Sequence, residues 1–262
     1  MIEKLEAIKC FMLDMDGTFY LSDHLLPGAL DFMDYLARKK LDYLFLTNNS
    51  SKNREMYTEK IVKLGFDVDA ARIFTSGEAT TIYLRKHTKF QRIYLLGTEA
   101  LKNEFSQAGF KLTEDKADAV VLGFDTTLTY EKIWKACDLI RDGIPYIATH
   151  PDFNCPTESG FMPDIGSFMA MIEVSTGRKA DVIIGKPYRH IVDAVVEKTG
   201  YTLDEIAMIG DRLYTDIALG KAGIRTILVL SGETKAEDVE NSEFEADIVV
   251  KDLKDLLEQM EK

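Results

Sequence analysis

Short apolar runs recur along this chain, and amphipathic stretches fill the intervals between them. The runs are IKCFMLD at Ile8–Asp14, LDYLFLT at Leu41–Thr47, RIYLLG at Arg92–Gly97, AVVLGF at Ala119–Phe124, PYIATH at Pro145–His150, then VIIG, IAMIGD and TILVLS after about Ala180. Strands alternating with helices in this way restrict the chain to an α/β fold with a mainly parallel sheet. The intervening helices have readable faces. Leu30, Met33 and Ala37 recur at helical spacing after Pro27-Gly28, and Arg54 to Leu64 forms a helix that Gly65 ends. In TYEKIWKACDLIRDG the residues Ile133, Cys137 and Ile140 stack one turn apart, and KDLKDLLEQMEK closes the chain as a last helix.

The alternation restarts at about Glu78 and runs to about Lys179 before the later strands return. This restart predicts a core formed by 1–77 and 181–262, with a smaller α/β unit, 78–180, inserted between its halves. One continuous sheet would give the same periodicity, so the motifs must decide between the two. At 262 residues, the chain has room for either arrangement.

Composition narrows the function classes. The three cysteines, Cys10, Cys137 and Cys155, lack CxxC spacing, which argues against a disulfide framework and a thiolate zinc site. His24, His87, His150 and His190 are scattered without ligand spacing. A formal net charge of −12 repels nucleic-acid backbones, so no polynucleotide partner is expected. No run is long enough to span a bilayer and the N-terminus lacks signal-peptide character, so a cytosolic, membrane-free protein is expected. An acidic protein that handles phosphates needs a local cation, which points to a metal ion.

Four strand ends carry chemistry. DMDGT at Asp14–Thr18 places two carboxylates where open α/β sheets bind ligands. Asp14 is ionised at neutral pH and needs no base to act as a nucleophile, while Asp16 can protonate a leaving oxygen and later take a proton from water. Gly17 permits a tight turn and close approach of a phosphate to main-chain N–H groups. DMDGT lacks the remaining ligands of a calcium loop. Thr47 and Asn48 end the second strand, where a hydroxyl and an N–H can hold phosphate oxygens. Lys186, in GKP, supplies positive charge. GDRLYTD at Gly210–Asp216 adds Asp211 and Asp216. Asp14, the Asp16 carbonyl and Asp211 form a candidate Mg²⁺ site, with Asp216 behind them or bridged by water. Taken singly, Thr47-Asn48 reads as a polar turn or N-cap, Lys186 as a surface lysine, and Asp211 as a helix cap. Their order at four strand ends favours one site.

These motifs resemble those of the haloacid dehalogenase superfamily, matched by DMDGT, Thr47-Asn48, Lys186 and GDRLYTD. TNNSS, GFD at Gly123–Asp125, ATHPD at Ala148–Asp152, and PDIGS followed by TGRK are similar to the NagD-like, p-nitrophenyl phosphatase branch. The resemblance implies a Rossmann-like core with an α/β cap inserted between the second and third motifs, closing over the substrate. It further implies in-line attack by Asp14, an aspartyl-phosphate hydrolysed by water, charge neutralisation by Mg²⁺ and Lys186, and homodimers formed through the cap. Phe19-Tyr20 departs from the smaller aliphatic common after the first motif and is expected to shape the entrance.

Dehalogenases of the superfamily lack the second aspartate, so Asp16 favours phosphomonoester hydrolysis. A phosphomutase, or a phosphate-binding regulatory module without turnover, is the alternative. A small-molecule phosphate ester is the expected partner: a sugar phosphate, a nucleoside monophosphate or p-nitrophenyl phosphate. In the Gly/Pro-rich stretch between cap elements, Asn154 and Asp164 are candidate contacts to the leaving group, and a solvated loop is the equal alternative.

Overall fold

The computed structural model describes residues 5–157 and 160–262. The chain divides into two compact units. The first takes the described residues up to Thr47, Tyr57–Phe74 and Lys186–Lys262; the second takes Asn48–Met56 and Thr75–Gly185.

The first unit is built on a six-stranded sheet in the order Ile248–Val250, Arg225–Val229, Ile206–Gly210, Cys10–Leu13, Asp42–Thr47, Ile73–Thr75. The central strand Cys10–Leu13 pairs in parallel on both sides, with Leu13 opposite Ile209 on one neighbour and Phe45 on the other. All four of its residues are buried. A parallel strand covered on both faces must be apolar without interruption, which is why CFML reads as a run rather than an alternation. Phe11, Leu13, Phe45, Ile209 and Ile227 form the core with Phe32 and Leu36 from the helix Ala29–Lys39. That helix buries Ala29, Phe32, Met33, Tyr35 and Leu36, whereas Leu30 and Ala37, expected on its inner face, point outward. The phase is set by the larger side chains: Phe32 and Leu36 stand one turn apart and are fully buried, with Met33 and Tyr35 beside them.

Phe19 and Tyr20, expected at an entrance, are instead buried in this core. The Phe19 ring meets Phe45 edge to face at 4.7 Å and Phe66 at 5.7 Å, the arrangement aromatic quadrupoles favour. The larger residue after DMDGT fills the space between the strand edge and the Phe66 loop.

The second unit holds a five-stranded sheet, Val182–Ile183, Tyr146–Ala148, Ala119–Leu122, Arg92–Leu96, Lys111–Leu112, with every pair parallel. An antiparallel hairpin, Asn154–Thr157 with Gly160–Pro163, stands apart from it. The core joins Val120, Leu122 and Tyr146 to Ile133, Ala136, Cys137 and Ile140 of the helix Tyr130–Arg141 and to Ile172 of the helix Ile165–Thr176. The run VIIG, expected among the strands of the core, pairs with Ile147 and Ala148 and extends this second sheet. A two-residue edge strand carries no sequence mark of which sheet it joins. The cysteines are free, as expected, with Cys10 and Cys137 buried. Among the described residues no helix is long and apolar enough to cross a membrane.

Candidate active site

Parallel neighbours bring their C-terminal ends to one edge, so Asp14, Thr47 and Asp211, which end or follow three adjacent strands, share an edge of the first unit. Asp14 continues the ladder, its N–H donating to Ile209 O at 2.8 Å. Lys186 then joins the ends: its Nζ donates to Asp14 Oδ1 at 2.5 Å and to Asp216 Oδ1 at 2.6 Å. The lysine is only 3% exposed and Asp216 is fully buried. Burial by itself would drive Lys186 toward its neutral form, but Asp14 and Asp216 outweigh it and hold the pKa above the ordinary lysine range. Asp216 is fixed again at Oδ2, which accepts the Arg212 N–H at 3.1 Å. Gly210 makes room for it, since a Cβ there would overlap the Asp216 side chain.

Asp211 is held differently. Its Oδ2 accepts the Glu233 N–H at 2.7 Å, and its buried Oδ1 meets no hydrogen-bond donor among the described residues. Gly17, at φ +88°, lies against it so closely that a Cβ would fall 2.7 Å from the carboxylate carbon. Burial, then the negative charges of Asp14 and Asp216, raise the Asp211 pKa; burial also raises Asp216, with Lys186 opposing. Oxygens of Asp14, Asp211 and Asp216 lie within 4.8 Å of one another. Three carboxylates gather here beside the Lys186 ammonium and the Arg212 guanidinium, and a buried oxygen has no donor among the described residues. Both features suit a hard divalent cation with oxygen ligands. The residues present therefore fit a Mg²⁺ ion. Asp216 joins the acidic cluster with both oxygens already engaged, while Asp16, expected to lend its carbonyl, has an exposed side chain.

The remaining expected site residues divide between the units. Thr47 ends its strand at 9% exposure in the first. Asn48, Asn154 and Asp164 belong to the second. Asn48 Nδ2 donates to Asp152 Oδ1 and Oδ2 at 3.1 and 3.2 Å. Asn154 is exposed at the start of the hairpin. Asp164 lies in no solvated loop: it is buried and N-caps the helix Ile165–Thr176, Oδ1 accepting the Ile165 N–H at 2.6 Å with His150 Nε2 3.6 Å away. Burial pushes its pKa up to about 7 against that N–H, with Asp152 adding to the rise. The sequence reading missed Ser231–Glu233, which touches both Gly17 and Asp211. The signal was present: TILVLS ends at the same edge as the other motif strands, and a Gly follows it.

Two family models match the chain, a haloacid dehalogenase-like hydrolase model over residues 11–111 and a HAD-hydrolase-like model over residues 183–256. An acid sugar phosphatase of Staphylococcus aureus (strain MRSA252) is 35% identical over 260 residues, covering 98% of this chain and 100% of the relative. A 4-nitrophenylphosphatase structure from Thermotoga maritima superposes with a TM-score of 0.95 at 51% identity, covering 98% of this chain and 99% of that one. The structure of NagD from Escherichia coli K-12 gives 0.88 at 32% identity, with 94% and 97% covered.

Proposed function

The chain belongs to the haloacid dehalogenase-like hydrolases, in their NagD-like branch, and is a phosphoric monoester hydrolase; from that premise we propose that it cleaves small phosphorylated metabolites with Asp14 as nucleophile and Mg²⁺ as cofactor. Sugar phosphates, nucleoside monophosphates and p-nitrophenyl phosphate are the proposed substrates. The observation that carries the reading is Lys186 bridging Asp14 and Asp216 beside an Asp211 whose Oδ1 has no donor among the described residues.

Lys186 fixes one oxygen of Asp14 and so sets the carboxylate for attack by the other. An Asp14 oxygen forms a bond to phosphorus as the bond to the leaving oxygen breaks, and Asp16 gives its proton to that oxygen. Water then attacks the aspartyl-phosphate, Asp16 takes the water's proton, and inorganic phosphate leaves with Asp14 restored. Asp14, the Asp16 carbonyl and Asp211 would hold Mg²⁺, with Asp216 supporting them; when bound, the ion would supply positive charge where the phosphoryl oxygens carry negative charge. Gly17, Thr47 and Asn48 are proposed to hold phosphate oxygens through N–H and hydroxyl groups. Asn154 is the proposed contact to the leaving group. Asp164, engaged as a helix cap, acts by fixing the backbone that follows the hairpin.

Hydrolysis of p-nitrophenyl phosphate, measured with Mg²⁺, with EDTA and in Asp14→Asn, tests the proposal. Mg²⁺-dependent release that the substitution abolishes is the expected result. Undiminished release by folded Asp14→Asn would remove Asp14 as nucleophile, and equal release in EDTA would remove the metal.

A further inference from the structure

We propose that the turn Ser231-Gly232-Glu233 is a positioning element for Asp211 that sets the affinity of the site for a divalent cation, an inference that rests on the metal reading above. The turn follows the strand Arg225–Val229, the neighbour of the strand that delivers Asp211. The turn holds Asp211 and its neighbour Gly17 through separate contacts. The Glu233 N–H donates to Asp211 Oδ2 at 2.7 Å, and the next N–H, of Thr234, donates to the Asp211 carbonyl at 3.2 Å. Ser231 Oγ donates to Gly17 O at 2.8 Å, tying the turn to the DMDGT loop on the far side of the same side chain. Gly232 lies flat against the carboxylate, where a Cβ would fall 2.5 Å from its carbon and 2.7 Å from the Asp211 Cβ.

Asp211 is therefore clamped between two glycines, Gly17 and Gly232, with one oxygen tied to a main-chain N–H. The Glu233 N–H fixes the plane of the carboxylate by holding one oxygen, which leaves the other, Oδ1, buried with no donor among the described residues. A helix cap or turn bond would gain from satisfying both oxygens. Holding one and sparing the other is the arrangement a ligand to a cation requires, since the spared lone pairs must be aimed before the ion arrives. The side chain of Glu233 latches the turn in place: Tyr214 OH donates to its Oε1 at 2.8 Å, and Arg212 Nε lies 2.9 Å from its Oε2. Only a residue without a side chain at 232 lets the Glu233 N–H come this near.

Binding of Mn²⁺ to the full-length protein without substrate, followed by the electron paramagnetic resonance signal of the free ion, tests the proposal without recourse to turnover. Gly232→Ala is expected to weaken Mn²⁺ binding by about 10–100-fold, the range found when partners behind metal ligands are altered. Ser231→Ala, which frees the turn from Gly17 but adds no bulk, weakens it less, and Ser231→Thr, which keeps the hydroxyl, restores it. Thermal melting of each metal-free variant separates this effect from a loss of fold, and Ser231→Ala decides the matter if Gly232→Ala does not fold. Wild-type Mn²⁺ affinity in the folded variants, with Asp211→Asn having lost binding, would overturn the role of the turn and leave the metal reading intact. Undiminished binding by Asp211→Asn would overturn both.

Discussion

Each unit buries carboxylates beside a basic side chain at the end of parallel strands, and the two clusters settle their charge in opposite ways. In the first, Asp14, Asp211 and Asp216 surround one ammonium, that of Lys186, which a salt link to each of two of them keeps charged. In the second, Asp152 and Asp164 flank His150, but neutral groups meet them: the Asn48 amide on Asp152 and the Ile165 N–H on Asp164. His150 Nδ1 accepts the Asp152 N–H at 3.3 Å, which places an imidazole proton on the other nitrogen. In the second cluster the hydrogen bonds to the carboxylates come from neutral dipoles. The first is met by charges, the Lys186 ammonium and the nearby Arg212 guanidinium, and carboxylates gathered in a buried place mark a candidate functional site.

The largest effect expected from breaking that contrast is at Lys186. In Lys186→Met three carboxylates face one another with no ammonium among them. Turnover of p-nitrophenyl phosphate should fall by about 10²–10³-fold, the loss typical of removing one preorganised electrostatic contact. Unfolding stability should fall by about 3–5 kcal/mol, the cost of leaving buried charge without its partner. Urea unfolding and steady-state kinetics check the two effects separately. A variant as stable and active as the wild type would show that the Lys186 ammonium is dispensable and that Arg212 and main-chain dipoles suffice for the three carboxylates.

In the second unit the matching prediction concerns pH. The Asp164 carboxyl, with an ordinary value of 3.8, is pushed up to about 7. A raised carboxyl keeps its proton in the folded chain after the unfolded chain has lost it. Its contribution is thus fully present below pH 3.8 and is lost as pH rises through about 7. The shift corresponds to up to about 4 kcal/mol. Asp164→Asn preserves a neutral acceptor for the Ile165 N–H and removes the titration. Unfolding free energies at acid and neutral pH should therefore decline less in Asp164→Asn than in the wild type, and raised carboxyls elsewhere cancel in the difference. Parallel pH profiles would mean that the Ile165 N–H, rather than burial, governs Asp164.

What the sequence revealed follows the same division. The strands that carry motifs in the first unit are long apolar runs buried on both faces, so composition alone marks them, and each motif is a strand end. The three-residue strands Ile73–Thr75 and Ile248–Val250 lie outside the runs read as strands, whereas Tyr146–Ala148 and Val182–Ile183, no longer than these, show within the apolar runs PYIATH and VIIG. The hairpin Asn154–Thr157 with Gly160–Pro163 has no buried position and therefore no alternation. Gly232 was illegible for another reason. A glycine after a strand reads as a turn, and only its approach to Asp211, 21 positions earlier in the chain, shows what the missing side chain is for.

The polar cluster Asn48-Asn49-Ser50-Ser51 sharpens this point at the smallest scale. By composition it is a loop, and its apolar content predicts no burial. Ser50 is nevertheless fully buried, its hydroxyl 2.9 Å from Thr149 Oγ1 and accepting the Phe124 N–H at 2.9 Å. It pins the chain leaving the second motif to the ends of two strands of the second sheet, Ala119–Leu122 and Tyr146–Ala148. Ser50→Ala leaves a buried main-chain N–H without its acceptor, for which a cost of about 1–2 kcal/mol is expected. That loss should appear as a lower urea midpoint with an unchanged slope, since the surface exposed on unfolding stays the same. An unmoved midpoint would mean that the Phe124 N–H finds water in place of the hydroxyl. This stretch would then be the solvated loop that its composition suggests, and a neutral network in the second unit would tolerate loss of a member that the charged one in the first could not.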